Sequence, residues 1–120
     1  MRVLTLLCAG MAACLMPIAA HATYVDGNKL QKLLGVAAKA ERGKSKGVGE
    51  VYGSGFVIGY IAGVTDTYNG VLLCATPNVP LGQIVAVVKQ HLRDHPEDLD
   101  RSGDWIILKA LSNAFPCKPN

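Results

Sequence analysis

Apolar residues along the chain recur at helical spacing in four stretches, and no run alternates convincingly with period two. Asp26, Gly27 and Asn28 offer helix caps, and Leu30, Leu33, Leu34, Ala37 and Ala38 follow them, predicting a first helix that ends near Ala40. A second helix is predicted over about residues 50–68. Tyr52, Phe56, Tyr60 and Val64 form one stripe on it, with Val57 and Ile61 beside that stripe. Gly55, Gly59 and Gly63 recur every four residues and share a face of this helix. An interior glycine costs a helix roughly 0.5–1 kcal/mol relative to alanine, so three in register require a compensating gain. The usual gain is close approach of another helix, from the same chain or from a second subunit in a homodimer.

The third predicted helix, about residues 81–95, places Ile84, Val85, Val88 and Leu92 on a buried face. Gln83, Lys89, Gln90 and Arg93 point away from it, and Pro96 stops it. Ser102 offers a cap for a fourth helix, with Asp104 in the first turn complementing the helix dipole. Trp105, Leu108, Leu111 and Phe115 make its core stripe, and Pro116-Cys117 ends it. The expectation is an all-α domain of four short helices.

The connections are polar. Residues 41–50, ERGKSKGVGE, read as a solvated loop rather than a nucleic-acid patch. Residues 69–80 form a long connection containing Cys74, Pro77 and Pro80. Residues 97–104, EDLDRSGD, make an acidic turn whose carboxylates are Glu97, Asp98, Asp100 and Asp104. Such a turn is either solvated surface or a contact surface.

The first 22 residues read differently from the rest. Arg2 precedes an uncharged run from Val3 to Ala20, and the segment closes on Ala20-His21-Ala22. A basic start, an apolar stretch and small residues flanking the break predict a secretory signal peptide cleaved after Ala22. The shortness of the run and Pro17 oppose a membrane anchor. Met11-Ala12-Ala13-Cys14 is a looser lipoprotein-type alternative, in which Cys14 would be lipidated. Residues 23–120 then form a single domain, directed to the periplasm.

Removing the leader lowers the hydrophobic content from 50% to 43 of 98 residues and the net charge from +3 to +2. That small charge, spread over basic and acidic loops, argues for no nucleic-acid partner and no membrane partner after cleavage. The apolar run from Val51 to Val64 is too short to span a bilayer. Cys8 and Cys14 leave with the leader, so Cys74 and Cys117 remain. A small exported chain with one cysteine pair reads as a disulfide-stapled domain, stabilised by ~4 kcal/mol in the chain-entropy account.

Little points to catalysis. A nucleophilic cysteine needs a free thiolate beside a base, and the two cysteines are better explained as a structural pair. His91 and His95 stand at a metal-compatible spacing without an obvious third ligand, and read as surface histidines near a helix end. The acidic turn lacks the ligand spacing, central glycine and closing glutamate of a calcium-binding EF-hand loop. Neither a phosphate loop nor a Ser/His/Asp arrangement is present. The residues predict a small binding domain with no metal, no cofactor and no enzymatic activity.

Four blocks sharpen this expectation. They are Gly59-Tyr60-Ile61-Ala62-Gly63-Val64-Thr65-Asp66, then Cys74-Ala75-Thr76-Pro77 with Gly82-Gln83. Val87-Val88-Lys89 with Leu92, His95 and Pro96 comes third, and Ala110-Leu111-Ser112-Asn113-Ala114-Phe115-Pro116-Cys117 last. In this order and spacing the chain resembles the Rap/Tai-type immunity proteins of bacterial type VI secretion. The resemblance implies a small periplasmic all-helical protein, often dimeric, that binds a peptidoglycan amidase effector and blocks its papain-like Cys/His site. It implies an inhibitor without activity of its own, and that Cys74 and Cys117 form the family's disulfide.

The matching blocks look like core and frame, so effector specificity is expected in exposed loops. The candidates are Glu97, Asp98, Asp100 and Asp104 in the acidic turn, with Gln90, Arg93 and Asp94 leading into it. The connection over residues 69–79 is the second choice. An orphan binding domain of the same fold is one alternative. A small periplasmic acid-stress chaperone is another, which the clustering of carboxylates in loops that look exposed disfavours.

Overall fold

A computed structural model describes residues 23–119. The expected leader, with Cys8 and Cys14, lies outside the described residues. Four α-helices follow one another: α1 (Gly27–Glu41), α2 (Val48–Tyr68), α3 (Leu81–Asp94) and α4 (Gly103–Ala114), with a 3₁₀ turn at Pro96–Asp98 before the last. Among the described residues no strand forms, and only the isolated bridges Asp26 to Ser102 and Asn69 to Leu73 pair extended backbone. Cys74 and Cys117 are joined by a disulfide, with their Cα atoms 4.9 Å apart. The bond ties the connection after α2 to the chain end after α4, where the Cys74 N–H also donates to the Phe115 carbonyl at 2.8 Å.

Local chemistry sets the helix ends. Asp26 accepts a hydrogen bond from the Lys29 N–H at 2.8 Å and so satisfies one of the free amides of the first turn of α1. Ser102 occupies the N-cap of α4 with extended backbone but makes no side-chain cap bond. After α2, the Asn69 side chain brackets the connection, accepting from the Ala75 N–H and donating to its carbonyl. Gly70 supplies the positive φ of 85° at this bend, and Leu73 swings fully into the core.

Leu30, Leu34 and Ala37 of α1 meet Val57 and Ile61 of α2, Ile84, Val85, Val88 and Leu92 of α3, and Ile106, Ile107, Ala110 and Leu111 of α4 in one core. The predicted buried face of α3 is the observed one. Two other stripes differ from expectation. On α2 the buried positions are Gly53, Val57, Ile61 and Thr65, while Tyr52 and Phe56 lie exposed. That helix is apolar on every side, so periodicity did not single out its inner face. On α4 Ile106, Ile107, Ala110 and Leu111 turn inward, and Trp105 stands at the surface with 39% of its area exposed.

The glycines also divide differently. A Cβ at Gly55, Gly59 or Gly63 would meet nothing within 4 Å, so among the described residues no helix packs on that face. The close approaches are at Gly27 and Gly103. A Cβ on Gly27 would lie 2.7 Å from Ile106 and from the Leu99 backbone, and one on Gly103 would lie 3.0 Å from the Val25 carbonyl. These two glycines let the start of α1 lie directly against the start of α4.

Candidate functional site

The acidic turn is a built corner rather than a loose loop. Its backbone is clamped from the α1 side: the Gly27 N–H donates to the Arg101 carbonyl at 3.0 Å and the Asn28 N–H to the Leu99 carbonyl at 3.1 Å. The Asn28 side chain adds bonds to the Leu99 carbonyl and to Asp100 Oδ1. In return the Gly103 N–H donates to the Val25 carbonyl at 2.7 Å.

From below, Asp98 anchors the corner. Asp98 was expected among the exposed contact residues, but it is 5% exposed and faces inward. Its Oδ2 accepts from the Lys109 ammonium at 2.9 Å and lies 2.9 Å from His91 Nε2. An ionised carboxylate only accepts, so the imidazole carries its proton on Nε2 toward Asp98. The hydrogen bond from Lys109 holds the Asp98 carboxyl below its usual range, against the opposing effect of desolvation, and the His91 bond adds to it.

His91 likewise differs from the surface histidine expected, being 8% exposed. The His95 ring stacks on it with centroids 4.4 Å apart, and His95 Nδ1 lies 2.9 Å from Glu97 Oε1. That hydrogen bond draws the Glu97 carboxyl below its ordinary value. Lys109 lies 4.6 Å from the centre of the Trp105 ring, and Arg101 covers the same ring at 5.3 Å.

The remaining candidates stay on the surface. Glu97 and Asp100 project from the corner, and Asp104 is exposed in the first turn of α4 beside Tyr60. Burial raises the Tyr60 hydroxyl above its usual range and the Asp104 charge raises it further. On the last turn of α3, Arg93 donates to the Gln90 side-chain oxygen Oε1, and the Gln90 side-chain amide donates to Asp94 at 2.8 Å. The surface thus offers carboxylates, a cation and an amide on fixed backbone, with Arg101 and Trp105 as members that sequence reasoning missed. The second-choice connection exposes Val71 and Leu72.

Donor atoms of His95, Glu97 and Asp98 come within 4.8 Å of one another, a third-ligand geometry the sequence did not reveal. They are engaged with one another, with His91 and with Lys109, whose fixed positive charge opposes a cation at Asp98. Cys74 and Cys117, being joined, present no thiol nucleophile.

The family model of the Rap1a immunity proteins matches residues 26–117, the four helices and both disulfide cysteines included. No curated protein matches the chain.

Proposed function

Because the chain belongs to the Rap1a immunity protein family, whose members are inhibitors of secreted effectors rather than enzymes, we propose that it protects its cell from a type VI peptidoglycan amidase. In this reading the α3–α4 corner covers the amidase cleft and excludes water and substrate. The observation that carries the site is the clamped corner itself: Asp98, Lys109 and His91 fix the turn, while Glu97 and Asp100, oriented by single bonds to His95 and Asn28, present exposed carboxylates to a partner. A binding surface held on rigid backbone spends little entropy on association.

The compartment belongs to the same proposal. A signal-type leader over residues 1–22 and a disulfide between Cys74 and Cys117 both suit the periplasm, where the cell wall lies and thiols are oxidised. Among the described residues no helix is long and apolar enough to cross a membrane.

The open α2 face supports a homodimer. Gly55, Gly59 and Gly63 leave the helix backbone bare, and Val48, Tyr52 and Phe56 expose apolar surface along the same helix. A second copy would bury that surface with helix backbones in close approach.

The test is affinity capture on the immobilised protein, followed by assay of the captured protein on purified peptidoglycan. A captured amidase that stops releasing peptides at one equivalent of this protein supports the proposal. A captured partner without wall-cleaving activity contradicts it.

A further inference from the structure

A groove of about 170 Å³ runs between α1 and α3. Its floor is Leu34 and Leu92, both nearly inaccessible, and its α3 wall carries Lys89 and Arg93. These cations stand four residues apart and so share a face of the helix. Lys89 forms no ion pair among the described residues, Arg93 is bonded to the neutral Gln90, and no carboxylate lines the groove.

The α1 wall contains Gly35 in mid-helix, where glycine is unfavourable. A Cβ there would meet nothing within 4 Å, so no neighbour among the described residues requires a glycine. Its consequence is a gap at the centre of the groove that any larger side chain would fill.

We propose that this groove is a docking site for an acidic, apolar segment of the effector protein. An aliphatic or single-ring side chain lies across Gly35 onto Leu34 and Leu92, and a neighbouring carboxylate meets Lys89 and Arg93. The positive rim without a compensating acid selects an anionic segment and repels a basic one. Through Arg93 the groove adjoins the acidic corner, so one partner can span both. The proposal rests on the reading that this protein binds a protein effector, and it states the chemistry of a second contact.

The experiment is an amide-shift titration of the protein with acetyl-Leu-Glu-amide, acetyl-Leu-Lys-amide and acetyl-Ala-Glu-amide. Saturable shifts at Gly35, Ala38 and Leu92 are expected with the first, at an affinity at least about fivefold above the other two. Gly35→Leu, built into open space, should keep its helical circular dichroism and lose the shifts. Lys89→Glu combined with Arg93→Glu should turn the preference toward acetyl-Leu-Lys-amide. Shifts that never saturate, that are equal for the three peptides, or that survive in either variant unchanged overturn the proposal. Peptide binding as expected in a protein that inhibits no amidase leaves the groove standing and removes the inhibitor reading. Inhibition without peptide binding does the reverse.

Discussion

Lys109 and Asp98, eleven residues apart, meet at 2.9 Å beneath the α3–α4 corner, and His91 meets the same carboxylate oxygen from α3. Three elements are thereby joined through one buried atom. Asp98 is a structural anchor, so its removal leaves Lys109 and His91 without their acceptor. Asp98→Ala, which removes the acceptor outright, should lower the thermal midpoint and reduce exchange protection of the corner amides by at least about tenfold. Unchanged protection over residues 98–101 would show that the corner is held by its backbone clamp alone.

Acid should act on the same point. Asp98 has a lowered pKa in the folded chain, so its contribution is present above the unfolded carboxylate value of about 3.9 and is lost as pH falls through the lower folded value. Glu97, lowered by His95, adds in the same direction while His95 remains hydrogen-bonded to it. The corner should therefore loosen below about pH 4 before the helical core does. Amide exchange and circular dichroism followed together would separate the two events. Simultaneous reversible loss of all helix, with protection of client proteins, would favour a chaperone instead.

The two classes of glycine predict opposite outcomes. Gly27→Ala places a methyl 2.7 Å from the Leu99 backbone and should destabilise the fold by about 1–3 kcal/mol. Gly59→Ala faces open space and should stabilise an isolated protomer by about 0.5–1 kcal/mol through helix propensity. Denaturant midpoints of both variants check this. Gly59→Leu should remain folded and elute as monomer on a sizing column if α2 forms the dimer contact, whereas unfolding would show that the face packs internally.

Reduction tests the staple. Cys74→Ser with Cys117→Ser opens a loop spanning a sequence separation of 43 and should cost about 2–5 kcal/mol. A fold of unchanged denaturant midpoint after reduction would contradict this weight.

Local pattern revealed the helices but not the anchor. The amphipathic spacing of Ile84, Val85, Val88 and Leu92 fixed the orientation of α3 in advance. It could not orient α2, because an apolar residue stands on each side of that helix. Trp105 differs from expectation for a related reason: α4 carries both Trp105-Leu108 and the pairs Ile106-Ala110 and Ile107-Leu111 at helical spacing, and only tertiary packing chooses between them.

The Asp98 network joins residues across a proline turn and from a following helix, a relation that no single period encodes. A faint signal existed in Lys109, the sole cation of α4, lying on a helix whose other charge is the exposed Asp104. Gly27 and Gly103 gave less, since their need for a missing side chain arises from contact between distant segments.

The most direct test of the inhibitor proposal is the dissociation constant of the captured amidase for the wild-type protein and for Glu97→Lys combined with Asp100→Lys. Both side chains are exposed and each makes one bond within the corner, to His95 and to Asn28, so the double variant should stay folded with a modestly lower thermal midpoint. The clamped-corner account predicts at least about a tenfold weaker complex, close to 1.4 kcal/mol, with matching loss of inhibition on peptidoglycan. An unchanged dissociation constant in the folded double variant would contradict it.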